Sequence, residues 1–145
     1  MKEPQWVLRE TVLALQERLL AEFGGLGGIR DNGLLDSALT RPQQIFAYGR
    51  PSLCDLAAAY AFGLVRNHPF LDGNKRIGFA VAVLFLELNG RRFTAPEAEV
   101  NLKTLALAAG ELDETDYAAW LRENSRLEPI HGKPWWRSFT DSCAA

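Results

Sequence analysis

Cysteine is scarce in this chain of 145 residues, and long apolar runs and an excess of one charge are missing. Only Cys54 and Cys143 occur. They are too few and too far apart for a disulfide framework or a zinc site. Cys54 lies in an apolar helical stretch and reads as a small core residue. The apolar run Ile77 to Leu88 is about a dozen residues long, too short to span a bilayer. Met1-Lys2-Glu3-Pro4 has no signal-peptide core. Sixteen basic residues against 18 acidic ones leave a net charge of −2, so a broad cationic field for nucleic acid is excluded. The expectation is a cytoplasmic protein with no membrane and no direct nucleic-acid partner. Several catalytic motifs are also absent: no Gly-x-x-x-x-Gly-Lys-Ser/Thr, no complete Gly-x-Gly-x-x-Gly, no serine elbow and no His-Glu-x-x-His.

What is present is mostly helical pattern on one domain, residues 1–127, followed by an irregular tail, 128–145. Trp6 to Phe23 alternates apolar and charged residues at helical spacing, and Gly24 to Gly28 ends that helix. Asp31-Asn32-Gly33 reads as a turn and hairpin tip. Leu34 to Tyr48 is helical apart from Pro42, which should start, end or kink a helix. Ser52 to Asp55 resembles a capping box with Asp for Glu, opening a helix through Leu56, Tyr60 and Leu64. A helix from about Lys75 to Leu88 is apolar on nearly every side, the mark of a central, buried one. Thr94-Ala95-Pro96-Glu97 reads as a capping box for the next helix, and Asp113 to Asn124 forms the last. The fold class is therefore all-α: about six helices, a central buried helix, and one short hairpin near residues 24–33. The tail carries Pro134, Trp135 and Trp136 and is expected to pack back on the domain; the alternative is a partner-binding segment.

Between two of these helices stands His68-Pro69-Phe70-Leu71-Asp72-Gly73-Asn74-Lys75-Arg76. His68, apart from the tail's His131 the only histidine, can take a proton near neutral pH. Asp72 is a hard oxygen donor, and one carboxylate with phosphate oxygens and water is the usual protein share of a Mg²⁺ site. Gly73 lets backbone approach a phosphate, and Asn74 can orient the loop or donate directly. Helix N-terminal N–H groups favour an anion there. Lys75 and Arg76 add charge, with a bidentate fork from arginine. Pro69 stiffens the loop and Phe70 anchors it. Taken singly, each residue is more often structural: an ordinary histidine, a turn, a solvated pair of cations. Their contiguity turns the balance toward chemistry on a phosphorylated substrate, most simply a nucleotide.

The nine residues resemble the signature of the Fic/Doc superfamily, and the form with lysine resembles its Doc (death-on-curing) branch. The similarity runs from about residue 7 to residue 125 and takes in Gly24 to Gly28 and Ala59-Tyr60-Ala61-Phe62. The resemblance implies the Fic fold, with ATP and Mg²⁺ as cofactors. His68 would be the base, Asp72 the metal ligand, and Gly73, Asn74, Lys75 and Arg76 the phosphate holders. Fic proteins transfer AMP to a target hydroxyl; their pattern has Gly after the Asn and a second Arg three residues after the first. Lys75 and Phe79 stand at those positions here, as in the Doc branch. Doc-type proteins place ATP in reverse and pass its γ-phosphate to a hydroxyl, in the best-known case on a translation elongation factor. Gly73, where the founding Doc has Ala, is a Fic-like feature and keeps AMP transfer as the alternative; an inactive binding module is the second alternative. The family's inhibitory pattern Ser/Thr-x-x-x-Glu-Gly/Asn is absent, since Ala119 precedes Glu123-Asn124 by the required spacing. The resemblance thus implies a separate antitoxin as inhibitor, and a flap near Gly24 to Gly33 that aligns a target peptide by strand addition.

Overall fold

Ser52 and Asp55 start the helix around which the chain is built. Ser52 Oγ accepts from the Asp55 N–H (3.1 Å), and Asp55 Oδ2 accepts from the Ser52 N–H (2.8 Å). This reciprocal pair is the expected capping box, and it satisfies two otherwise unpaired donors. The helix it opens, α3 (Leu53–Asn67), is buried on nearly all sides. Cys54 is inside, as its neighbours implied. A computed structural model describes residues 2–128 of the chain. Against α3 stand α2 (Asn32–Tyr48), α4 (Asn74–Leu88), α5 (Glu97–Ala109) and α6 (Glu114–Glu123), and α1 (Arg9–Phe23) packs on α4. The all-α architecture with a buried helix after the motif is therefore observed, and α3 shares the centre with α4.

Two glycines set how closely the central helices approach. A Cβ on Gly63 would lie 3.1 Å from Ala38 Cα of α2, and one on Gly78 of α4 would lie 2.7 Å from Val65 Cγ2 of α3. Pro42 sits inside α2 rather than at its end. It has no N–H for the carbonyl of Ala38, and Ala38 lies where α2 comes closest to Gly63. Close packing thus carries the helix through the proline. Leu56, Leu64, Ile77, Leu84 and Phe85 fill the core between the helices, each worth about 1.5–3 kcal/mol on burial. Two phenols are enclosed with partners: Tyr60 Oη accepts from the Val7 N–H (3.1 Å), and Tyr117 Oη lies 3.0 Å from Thr104 Oγ1. Desolvation pushes each phenol up to about 12, against a smaller opposing pull from the Val7 and Thr104 hydrogen bonds.

Three boundaries differ from expectation for local reasons. The first helix begins at Arg9 rather than Trp6, because Trp6 stacks on Phe85 (5.9 Å) and meets Phe46 edge-on (5.7 Å), outside the helix. Asp31 is not a hairpin tip; its carboxylate accepts from the Leu34 N–H (2.9 Å) and caps α2. Thr94 does not cap α5, which starts after Pro96. Its N–H and hydroxyl both go to the carbonyl of Asn124, at 2.8 and 3.3 Å. The short antiparallel pair is also elsewhere than expected: β1 (Arg91–Phe93) pairs with β2 (Ser125–Leu127), tying α4 to the end of α6. No helix among the described residues is long and apolar enough to cross a membrane. The packing expected of the tail concerns residues 129–145, which lie outside the described residues.

Candidate functional site

The turn between α3 and α4 opens with His68, the C-cap of α3, in the left-handed region at φ 50°, ψ 53°. Among the described residues it is the only non-glycine with positive φ. Such a backbone is uncommon and clusters at functional sites. It turns the chain sharply, so that Pro69 and Phe70 bury while His68, Leu71 and Asp72 stay exposed. Phe70 is 2% exposed and anchors the loop in the core.

Asn74 holds the loop from inside. Its Oδ1 accepts from the Phe70 N–H (3.0 Å) and its Nδ2 donates to the Phe70 carbonyl (3.0 Å). Both contacts together fix the orientation of the amide. Nδ2 also lies 3.1 Å from His68 Nδ1. The side chain is thus spent on the loop, and the backbone at the start of α4 remains to face an anion. Gly73, the N-cap of α4, sits at φ 75°, ψ 18°. A Cβ there would meet nothing closer than 3.5 Å, so backbone conformation rather than space favours glycine.

Asp72 is exposed at the mouth of the loop. Its Oδ1 accepts from the Gly73 N–H (2.9 Å) and its Oδ2 from the Leu26 N–H (3.3 Å). No group of three or more metal-ligating side chains occurs among the described residues. A lone accessible carboxylate beside a helix N-terminus fits Mg²⁺ completed by phosphate oxygens and water, not a cation held by protein alone. His68 and residues 71–76 line one cleft of about 260 Å³. The structure therefore brings all six sequence-identified residues (His68, Asp72, Gly73, Asn74, Lys75 and Arg76) to a single opening. A second cleft, about 330 Å³, continues from Lys75 and Arg76 along Phe79 toward α5. Phe79 packs edge-on against Phe93 at 5.5 Å and presents an apolar wall there.

The glycine-rich segment before α2 lies along this loop. The Leu71 N–H donates to the Gly28 carbonyl (3.1 Å), the Arg30 N–H to the Pro69 carbonyl (2.7 Å), and Ile29 bridges Phe70 antiparallel. Gly25, at φ 121°, presses on the acid so closely that a Cβ would lie 2.9 Å from Asp72 Oδ2. Three supporting side chains were not singled out from the sequence. Buried Gln16 donates to the Asp72 carbonyl (2.8 Å); its signal was a polar residue beside Val12 and Leu15 on the buried side of α1. Phe23 lies under the Arg76 guanidinium, 4.4 Å from its ring centre. Arg30 grips the end of α3, and nothing in its sequence context signals that.

Comparison with known proteins gives a consistent picture. The model of the Fic/DOC family matches residues 6–86, more than half of the chain. The chain is 34% identical over 116 residues to "Protein kinase doc" of Escherichia phage P1, covering 78% of this chain and 90% of that protein. It is 49% identical over 76 residues to "Toxin Doc" of Mycolicibacterium smegmatis, covering 50% of this chain and 58% of that protein.

Proposed function

The chain belongs to the Fic/DOC family, and we propose that it is a Doc-type toxin, a kinase that moves the γ-phosphate of ATP to a Ser or Thr hydroxyl of a translation factor. The observation that carries this reading is the single cleft in which His68, Asp72, the N-terminus of α4, Lys75 and Arg76 converge. The apolar Phe79 wall favours γ- over α-phosphate transfer. AMP transfer in this family uses a second arginine at that position, and none is present here. The printed names of the two relatives, a toxin and a protein kinase, point the same way.

In this mechanism the hydroxyl oxygen of the target bonds to the γ-phosphorus, the bond from that phosphorus to the β–γ bridging oxygen breaks, and ADP leaves. His68 accepts the hydroxyl proton. In the resting contact Asn74 Nδ2 donates to His68 Nδ1, which leaves the proton of neutral imidazole on Nε2. Asp72 would hold Mg²⁺, which would supply charge neutralisation on the phosphates. The N–H groups of α4 with Lys75 and Arg76 take the phosphate oxygens, and Phe23 steadies Arg76. An antitoxin chain is the proposed inhibitor. A second reading, AMP transfer, is favoured by Gly73 in its left-handed N-cap.

ATP labelled at the α- or the γ-phosphate, incubated with the protein and an elongation factor, separates the two. Label retained from γ and none from α is the expected result. Label from α alone would establish AMP transfer instead.

A further inference from the structure

We propose that Arg30 is a positioning residue for His68, holding the left-handed turn that presents the imidazole to substrate. This rests on the reading of His68 as the base. The end of α3 has carbonyls without helical partners, and residues 30 and 31 take three in a row. Arg30 Nε donates to the His68 carbonyl (2.6 Å) and Arg30 Nη2 to the Asn67 carbonyl (2.8 Å). The N–H groups of Arg30 and Asp31 both go to the Pro69 carbonyl, at 2.7 and 3.1 Å.

The guanidinium fork thus spans the peptide on each side of the one described non-glycine residue with positive φ. A left-handed backbone at histidine persists only where its surroundings over-determine it. Asn74 restrains the ring from one side, and Arg30 restrains the backbone from the other. A cation at the C-terminus of α3 also suits the helix dipole. Arg30 itself is exposed, so its grip contributes little to the core. Its natural effect is on where His68 points.

Lysine cannot reproduce the grip. One ammonium reaches a single carbonyl well, where the planar fork reaches two in fixed geometry. Misplacement of a reacting group by an ångström can cost about a hundredfold in rate. Loss of Arg30 should therefore lower kcat and leave the KM for ATP alone, because its hydrogen bonds go to Asn67, His68 and Pro69 rather than to the phosphate-holding residues 73–76.

The test is a double-mutant cycle with His68→Ala, reading γ-phosphate transfer and the KM for ATP. Arg30→Ala should lower kcat about ten- to a hundredfold with KM unchanged. Arg30→Lys should fall between it and the wild type. Arg30→Ala should add almost nothing once His68 is already alanine, because the two then share one effect. An Arg30→Ala protein with wild-type kcat, or one that slows the His68→Ala enzyme by the same factor, overturns the proposal. If Arg30→Ala does not fold, Arg30→Lys decides on the same two criteria, since it keeps the charge and the stem. A fully active His68→Ala enzyme would overturn the base assignment itself, a result distinct from an idle Arg30.

Discussion

Asn74 Nδ2 stands 3.1 Å from His68 Nδ1 while both ends of the same amide are bonded to the backbone of Phe70. One buried side chain therefore sets the loop's path and the resting tautomer of the exposed histidine. Nitrogen-15 spectra should show neutral His68 with its proton on Nε2. Asn74→Ala would strand the buried N–H and C=O of Phe70, each at about 1–3 kcal/mol. The variant should melt well below the wild type and lose transfer activity together with the His68 signature.

Gly73→Ala should act differently. The strained φ costs about 1–2 kcal/mol, but the added methyl has room, with Gln16 Nε2 the nearest atom at 3.5 Å. A lower denaturation midpoint with γ-phosphate transfer retained is the expected outcome, measured by chemical denaturation beside a transfer assay.

The close approach of α3 and α4 predicts a steric defect and its repair. Gly78→Ala places a methyl 2.7 Å from Val65 Cγ2 and 3.2 Å from the Ala61 carbonyl. Overpacking should destabilise by about 1–3 kcal/mol, outweighing the roughly 1 kcal/mol that alanine gains as a helix former. Val65→Ala in the same chain removes the first of these clashes and should recover part of the loss in a urea titration.

The two enclosed phenols predict an alkaline limit. Tyr60 and Tyr117 ionise near pH 10 when unfolded and at about 12 in the fold. Folded pKa values above the unfolded ones mean that this stability is fully present below pH 10 and is lost as the pH rises toward 12. Each phenol accounts for at most about 3 kcal/mol of that loss. Stability curves from pH 8 to 12 for the wild type and the Tyr60→Phe, Tyr117→Phe pair should diverge in this window, with the flatter curve for the variant.

Most of the fold was legible because its signals are local. Ser52 and Asp55 form their box from residues three apart, and α4 ends at Leu88, directly before Asn89-Gly90. What escaped the sequence depends on distant partners. Trp6 leaves the first helix for Phe85, Thr94 turns to Asn124, and Pro42 stays inside a helix packed against Gly63. The strands β1 and β2 are three residues each and separated by two helices, too short for an alternating pattern to show. The candidate site was legible as a group because the residues lining its cleft stand within nine consecutive positions. Arg30 and Gln16 were not, since each reaches the loop only through the tertiary fold.

The most direct measurement is the rate of γ-phosphate transfer by His68→Ala, taken with its affinity for ATP. The result expected under the proposed kinase mechanism is a loss of about 10²- to 10⁴-fold in rate with the dissociation constant for ATP unchanged, because that mechanism gives the phosphate to α4, Lys75 and Arg76 rather than to the imidazole. Transfer at the wild-type rate by the folded variant would contradict it.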